Sequence, residues 1–165
     1  NQVIGSGTSL DTARLQLMIG KKLCINPKNV QAYVIGEHGD SEFIPWSNAN
    51  ISLQNIKEFF SKEEMDKIEY DVRNAAYEII NRKGATYYGI GMALVRITNA
   101  ILGNENTIIA VSVFDEPNDV YIGMPAIINK NGAERRIPLT LTEEETIKLQ
   151  NSINIIKQNI NSIVE

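Results

Sequence analysis

The chain is organised around one stretch, Ile35-Gly36-Glu37-His38-Gly39-Asp40, which contains its only histidine. An apolar run that starts at Val30 leads into this stretch and predicts a buried strand over 30–35. Two glycines flank the imidazole, and glycine permits positive φ angles and close backbone approach. The sequence therefore places His38 in a turn at the end of a strand. Catalytic side chains often occupy such positions, although a single histidine also serves commonly as an ordinary polar residue.

Size and composition fit one folded domain and exclude several classes of protein. The chain has 165 residues, of which 43% are hydrophobic and 22% charged, enough apolar material for a sizeable core. A net charge of −4 and the lack of a basic stripe argue against a nucleic-acid partner. No apolar run reaches the ~18 residues that a membrane helix needs.

The single cysteine, Cys24, cannot form an internal disulfide. We expect it to be a buried, small apolar residue in a reducing compartment, which favours a cytoplasmic protein. One cysteine and one histidine are also too few for a typical zinc site, so we predict no metal.

Two glycine pairs resemble phosphate-binding loops but lack the full motif. Gly5-Ser6-Gly7 and Gly89-Ile90-Gly91 each lack the third glycine, because Leu10 and Leu94 occupy its position. The sequence therefore predicts no nucleotide-phosphate site in this chain. The chain begins at Asn1 within a Val-Ile-Gly-Ser-Gly pattern, and we expect a further domain upstream of it.

Apolar spacing predicts a first helix from about Ser9 to Leu23, with Thr8 or Ser9 as its cap. Asp11 and Arg14 are three residues apart and therefore share a face of this helix. Two interpretations remain open for the pair. It is either an ordinary surface ion pair, or a carboxylate and a guanidinium presented together at the first turn.

Capping, turn and periodicity signals place the other elements and indicate an α+β fold, with long helices packed on a twisted, mainly antiparallel sheet. In chain order we predict an irregular strand pair over 41–53, a helix from the Ser61–Glu64 capping box to Gly84, a helix from about Ala85 to Leu102, strands over Thr107–Phe114 and Val120–Asn129, a hairpin at Asn131-Gly132 leading into Ala133–Leu139, and a last helix from the Thr142–Glu145 capping box. Gly89 and Gly91 each cost the third helix roughly 1 kcal/mol. Either a second helix or a flat ligand should therefore approach them closely.

His38, Asp11, Arg14 and Thr86 together suit proton transfer on a small organic acid. A carboxylate bonded to one imidazole nitrogen fixes the tautomer and stabilises the imidazolium, which frees the other nitrogen to exchange a proton with an oxygen. Arginine holds a carboxylate through two parallel hydrogen bonds. The set fits a 2-hydroxy or 2-oxo acid, but the chain offers no hydride carrier of its own.

Three segments in order resemble bacterial L-lactate dehydrogenases of the lactate/malate dehydrogenase superfamily. These are Ile4-Gly5-Ser6-Gly7-Thr8-Ser9-Leu10-Asp11-Thr12-Ala13-Arg14, Ile35-Gly36-Glu37-His38-Gly39-Asp40-Ser41-Glu42 and Lys83-Gly84-Ala85-Thr86-Tyr87-Tyr88-Gly89-Ile90. The resemblance extends over essentially the whole chain and corresponds to the C-terminal, substrate-binding half of those enzymes. It implies that residues 1–165 are that domain and that the NAD-binding domain lies outside this chain.

The resemblance implies a role for each matching residue. His38 would give a proton to pyruvate and take one from L-lactate, Asp11 would orient it, Arg14 would bind the substrate carboxylate, and Thr86 would line the pocket. Ser6 and His38 would contact the nicotinamide carboxamide of NAD, with Ile90 packed against the ring.

Many such bacterial enzymes are homotetramers activated by fructose 1,6-bisphosphate, which an arginine and a histidine bind. At the corresponding positions this chain has Gln16 and Gln31. Neither is cationic, which implies that the phosphate site has been lost. Two alternatives remain for the function. One is a malate dehydrogenase of the same superfamily, and the other is a non-catalytic folding and oligomerisation module.

Overall fold

Within residues 3–164, which the computed structural model of the chain describes, four α-helices combine with two three-stranded antiparallel sheets. The elements are α1 Ser9–Leu23, β1 Val30–Gln31, β2 Asn50–Ile51, β3 Gln54–Asn55, α2 Lys62–Lys83, α3 Tyr88–Leu102, β4 Thr107–Asp115, β5 Val120–Asn129, β6 Gly132–Arg136 and α4 Glu143–Val164. The prediction of an α+β fold is confirmed. None of the described helices is long and apolar enough to cross a membrane.

Two hydrophobic cores meet where the chain enters the segment Ile35–Asp40, here called the histidine stretch. The first core joins α1, α2 and the small sheet, and the second joins the large sheet to α3 and α4. Val34 is buried in the first core, and the next residue, Ile35, is buried in the second. Consecutive side chains of an extended segment point to opposite sides. The chain leading to His38 is therefore held on both faces.

The strand predicted over 30–35 is regular only at Val30–Gln31. At Val34 the backbone bonds to threonine side chains instead of to a neighbouring strand. Thr8 Oγ1 donates to the Val34 carbonyl oxygen at 2.6 Å, and the Val34 amide donates to Thr12 Oγ1 at 3.0 Å. Thr8 is the N-cap residue of α1, one of the two predicted, but its side chain makes no cap bond to the helix. Its hydroxyl fixes the start of α1 against the histidine stretch.

Two antiparallel bridges complete the turn around the histidine. Ile35 pairs with Phe43, with backbone N–O distances of 2.9 and 3.0 Å. Gly36, at φ 105°, pairs with Gly123 of β5 through two bonds of 2.9 Å. These bridges attach the turn to the large sheet.

The substitution Gly123→Ala is expected to lower the free energy of unfolding by about 1–3 kcal/mol, because overpacking shifts the backbone. A Cβ there would lie 2.8 Å from the Gly36 carbonyl oxygen and 2.8 Å from Thr8 Oγ1. The matched control is Gly91→Ala, whose Cβ meets no atom within 4 Å and should stabilise α3 by roughly 0.5–1 kcal/mol. Urea unfolding of both variants checks this. Equal effects would contradict the close packing at Gly123.

The helices mostly follow their sequence signals. The Ser61–Glu64 capping box forms, and α2 ends at Gly84 with φ 79°. Helix α3 begins at Tyr88 and not at Ala85, because the left-handed Gly84 turns the chain and four residues, Gly84 to Tyr87, connect the two helices. The prediction that placed Thr86 inside a helix is therefore wrong, and Thr86 lies in the connection.

The large sheet and the last helix agree with the prediction in outline. The hairpin turn is Lys130–Asn131, one residue earlier than predicted, and β6 ends at Arg136 and not at Leu139. Strands β4 and β5 pair from Thr107–Ile128 to Asp115–Val120, and Gly132 at φ 94° closes the predicted hairpin. Thr142 and Glu145 exchange the two bonds of a capping box. The isoleucine stripe of α4 covers the sheet only in its first half, because Ile153 is buried whereas Ile160 and Ile163 are exposed.

Cys24 is exposed, so its predicted burial is wrong. It follows the last residue of α1 in the left-handed region, at φ 55°, where its amide caps the helix. The residue therefore lies outside the apolar stripe that the helical spacing defines.

Candidate active site

The first turn of α1 presents a buried carboxylate and a guanidinium. Arg14 Nη1 lies 2.9 Å from Asp11 Oδ1, and the exposed fractions of the two side chains are 14% and 4%. The side chains of an ordinary surface ion pair are far more exposed than these two. Of the two interpretations left open by the sequence, the structure favours a carboxylate and a guanidinium held together away from bulk water.

His38 completes the array from the turn after the bridged strand. Its Nδ1 lies 2.8 Å from Asp11 Oδ2, and its side chain is 57% exposed. The imidazole is therefore anchored on one side and open on the other. Because Nδ1 faces the carboxylate, Nε2 is the nitrogen left for a substrate.

Glu42 is a second carboxylate beside the imidazole, and no role was predicted for it. Its Oε2 lies 3.8 Å from His38 Nδ1, and its side chain is only 6% exposed. The position four residues after the histidine was visible in the sequence, but its burial was not. The bridge between Ile35 and Phe43 and a contact from Arg73 hold this part of the chain inward.

These carboxylates determine the protonation of the imidazole. The hydrogen bond to Asp11, followed by the interaction with Glu42, raises the pKa of His38 to about 10 against the opposing effect of burial. Burial raises the pKa of Asp11, but His38 and Arg14 outweigh it and the net shift is downward. At neutral pH the site therefore holds an imidazolium next to an ionised Asp11, ready to donate a proton.

The chain is expected to lose stability as the pH rises from about 6.5 toward 10. The pKa of His38 is higher in the folded state than its ordinary value of 6.5. Its stabilising contribution is therefore complete below pH 6.5 and is lost as the folded form deprotonates. Thermal unfolding midpoints of wild type and His38→Gln between pH 6 and 9 check this. An identical pH dependence in both proteins would contradict it.

A cavity of about 230 Å³ opens beside the imidazole. Asp11, Arg14, His38 and Glu42 line one side, and α2 closes the other. From α2, Arg73 Nη2 donates to the Glu42 carbonyl oxygen at 3.0 Å. The sequence did not single out Arg73, because a helical surface arginine carries no signal of a contact 31 residues away.

Three other predicted site residues do not line this cavity. Ser6 lies in the segment before α1, Thr86 in the connection between α2 and α3, and Ile90 in the first turn of α3, all partly buried. Gly89 explains how α3 approaches the site, since a Cβ there would lie 3.1 Å from the Leu10 side chain. At Gly91 no atom of the described chain lies within 4 Å of the Cβ position, so within this chain the close approach predicted for both glycines is made only at Gly89.

Gln16 and Gln31 both take part in contacts that hold the fold together. Gln16 Nε2 donates to the Ala32 carbonyl oxygen at 3.2 Å, which ties α1 to the chain after β1. Gln31 is exposed and pairs with Asn50 in the small sheet.

The fold brings together one ligand set that composition did not predict. One ligand atom each from Asp11, His38 and Glu42 lies within 4.8 Å of the others, the one such group among the described residues. The 2.8 Å between His38 and Asp11 is a hydrogen-bond distance. Two ligands of one zinc ion, each about 2.0–2.1 Å from the metal, stand roughly 3.3 Å apart. The spacing of His38 and Asp11 is therefore about 0.5 Å shorter than that expected for two ligands of one zinc ion.

Comparisons with known proteins identify the family of the chain. The sequence pattern of the lactate/malate dehydrogenase α/β C-terminal domain matches residues 8–165. L-lactate dehydrogenase 2 of Bacillus anthracis is 48% identical over 167 residues, which cover 95% of this chain and 53% of that protein. The chain therefore spans about half the length of the curated relatives it matches.

Solved structures share the fold over nearly the whole chain. A lactate dehydrogenase from a Medee basin deep-sea metagenome library is 50% identical with a TM-score of 0.95, and the match covers 99% of this chain and 55% of that one. The minor L-lactate dehydrogenase of Enterococcus mundtii is 37% identical with a TM-score of 0.94, over 98% of this chain and 55% of that one. This chain belongs to the lactate/malate dehydrogenase family and has the fold of its C-terminal domain.

Proposed function

We propose that this chain supplies the proton-transfer and carboxylate-binding half of an NAD-dependent L-lactate dehydrogenase, which interconverts pyruvate and L-lactate. The observation that carries the proposal is the continuous array Arg14–Asp11–His38, with contacts of 2.9 and 2.8 Å. The array adjoins a cavity large enough for a three-carbon acid. The relatives of the chain, which are named L-lactate dehydrogenases, support the choice of substrate.

Each residue of the array has a chemical task. The Arg14 guanidinium binds the substrate carboxylate through parallel hydrogen bonds. His38 Nε2 donates its proton to the 2-oxo oxygen while a hydride reaches C2, so the carbonyl becomes the alcohol of lactate. Asp11 stabilises the imidazolium before transfer and keeps the ring oriented afterwards. In the reverse direction the neutral imidazole takes the proton from the hydroxyl.

NAD supplies the hydride when it is bound. Ser6 and Ile90 are the residues of this chain that would contact its nicotinamide end, and both remain partly accessible. The chain offers no glycine-rich phosphate loop, so the rest of the nucleotide would bind to an upstream domain. A cytoplasmic homotetramer is the assembly we propose for the whole enzyme.

The test is an NADH oxidation assay on a protein that carries this chain together with its NAD-binding half. We expect kcat/KM for pyruvate to exceed that for oxaloacetate by about 100-fold or more. The reverse preference would identify a malate dehydrogenase. No turnover of either acid by a folded protein that binds NADH would refute a dehydrogenase role.

A second candidate function is a non-catalytic folding or oligomerisation module. The apolar surface of α3 favours it, because Met92, Leu94 and Val95 are all at least half exposed. The same surface is compatible with a dehydrogenase that packs α3 against its other domain. Loss of turnover in a His38 variant that assembles normally would separate the two functions.

Fructose 1,6-bisphosphate is not expected to activate the enzyme. Neither Gln16 nor Gln31 carries the positive charge that a sugar phosphate requires. The apparent KM for pyruvate should stay the same with and without the bisphosphate at roughly micromolar levels. As a control, Gln16→Arg with Gln31→His restores both charges. A lower KM for the unmodified protein in the presence of the bisphosphate would contradict the loss of this site.

A further inference from the structure

Glu42 is a buried carboxylate that receives no hydrogen bond on its side chain from the described part of the chain. Its residue is 5% exposed. Glutamate is almost never buried to this extent unless it is paired. Within residues 3–164, the one cationic group within 4.0 Å of its oxygens is His38, at 3.8 Å. The carboxylate lines the cavity beside the imidazole, so His38 is the cationic group best placed to interact with it.

The main chain holds Glu42 firmly. Its amide donates to the Gly39 carbonyl oxygen at 3.2 Å, and its carbonyl oxygen accepts from Arg73 Nη2 at 3.0 Å. The next residue, Phe43, is buried and bridged to Ile35. The carboxylate is thus fixed beside the imidazole by contacts on both sides of the residue.

Two other carboxylates around the cavity form ion pairs with arginines, whereas Glu42 does not. On α1, Asp11 is matched by Arg14 at 2.9 Å, and on α2, Glu69 is matched by Arg73 at 3.1 Å. The Glu42 carboxylate has no such partner apart from the imidazolium. A positive ring at position 38 therefore brings this set of buried and partly buried groups close to charge balance.

The turn around the histidine contributes two further acidic groups. Glu37 Oε2 accepts a hydrogen bond from Ser41 Oγ, and Asp40 is exposed, 3.4 Å from the Tyr77 hydroxyl. Neither carboxylate lies within 4.0 Å of a His38 ring nitrogen. Glu37 thus provides a matched comparison for Glu42 within the same turn.

We propose that Glu42 is a second positioning carboxylate for His38, which acts with Asp11 to orient the imidazole and to favour its protonated form before transfer. The proposal rests on the dehydrogenase function proposed above and assigns Glu42 an indirect part in it. Asp11 Oδ2 lies 2.8 Å from the ring Nδ1, and Glu42 supplies the second, longer-range negative charge. Burial raises the pKa of Glu42 itself, so its own ionisation is linked to the presence of a positive ring.

The experiment is an NMR titration of the imidazole in this 165-residue chain. Because the chain has one histidine, its ring resonances need no assignment. Glu42→Gln keeps the shape of the side chain and removes the charge. The midpoint of the His38 titration should fall by about 1 pH unit in Glu42→Gln. In the control Glu37→Gln it should shift by less than half as much.

An unchanged midpoint in a folded Glu42→Gln protein would overturn the proposal, as would equal shifts in the two variants. Wild type gives a test that does not depend on the variant folding. The carboxyl carbon of Glu42 should show a step at the pH where His38 titrates. Absence of this step would also overturn the proposal.

Steady-state kinetics separate this inference from the proposed function. In the full-length enzyme, Glu42→Gln should move the alkaline limb of the pyruvate-reduction profile to lower pH by about 1 unit. The KM for pyruvate below that limb should stay within about twofold. A full-length enzyme with no pyruvate activity would refute the dehydrogenase but leave the titration result standing. Unshifted profiles in an active enzyme would refute only the role of Glu42.

Discussion

His38→Asn should lower kcat for pyruvate reduction by about 10²–10⁴ in a protein that carries both this chain and its NAD-binding half, because general acid catalysis contributes that much. The reason is the position of the ring. His38 is the imidazole that faces the cavity, with Nδ1 anchored on Asp11 and Nε2 free to reach a substrate oxygen. Asparagine can still hydrogen-bond to Asp11, but it cannot give up a proton near neutral pH.

The fold should survive this change. The His38 side chain is 57% exposed, so its replacement removes little packing. Circular dichroism and the dissociation constant for NADH should therefore match the wild type, while single-turnover measurements show slow chemistry. A variant that retained kcat within about fivefold would show that another group donates the proton.

Asp11→Asn should produce two effects at once. It should lower kcat by roughly 10²–10⁴, because an amide does not stabilise the imidazolium or fix the correct tautomer. It should also lower the free energy of unfolding at pH 7 by about 3 kcal/mol, because it leaves a mostly buried Arg14 without its counter-charge. Urea unfolding and steady-state kinetics on the same preparation measure both effects.

The pH dependence of the stability loss provides a further check. The pKa of Asp11 lies below its usual 3.8 in the folded chain. The stabilisation by its carboxylate is therefore present above pH 3.8 and is lost as the pH falls through the lowered value. The difference between wild type and Asp11→Asn should shrink in acid.

The matched control is Asp71→Asn, which removes an exposed carboxylate 3.0 Å from Lys67 on α2. It should cost less than about 0.5 kcal/mol. Equal losses for the two variants would mean that burial of the Asp11–Arg14 pair contributes nothing.

Local signals predicted much of this molecule. The shared face of Asp11 and Arg14 follows from helical spacing, and the hairpin at Asn131-Gly132 follows from turn chemistry. Both depend on residues only a few positions apart. The interactions of one turn or one hairpin therefore suffice to determine them. The structure shows the shared face, and it shows the hairpin with its turn shifted by one residue, to Lys130–Asn131.

Features that depend on distant parts of the chain were not predictable in this way. The burial of Glu42 requires the bridge between Ile35 and Phe43 and a contact from Arg73, none of which has a sequence signature. Thr8 resembles a helix cap, but its hydroxyl bonds to the Val34 carbonyl oxygen instead. In each case a tertiary contact replaced the local one that the sequence favoured.

The division of labour between this chain and a separate nucleotide-binding domain is best tested by calorimetric titration with NADH. Two samples are required, this 165-residue chain alone and the same chain joined to its NAD-binding half. We predict no heat of binding for the chain alone up to about 1 mM NADH, and a dissociation constant of roughly micromolar order for the joined protein. Micromolar binding of NADH by the chain alone would contradict the proposal, since it would require a nucleotide site within these residues.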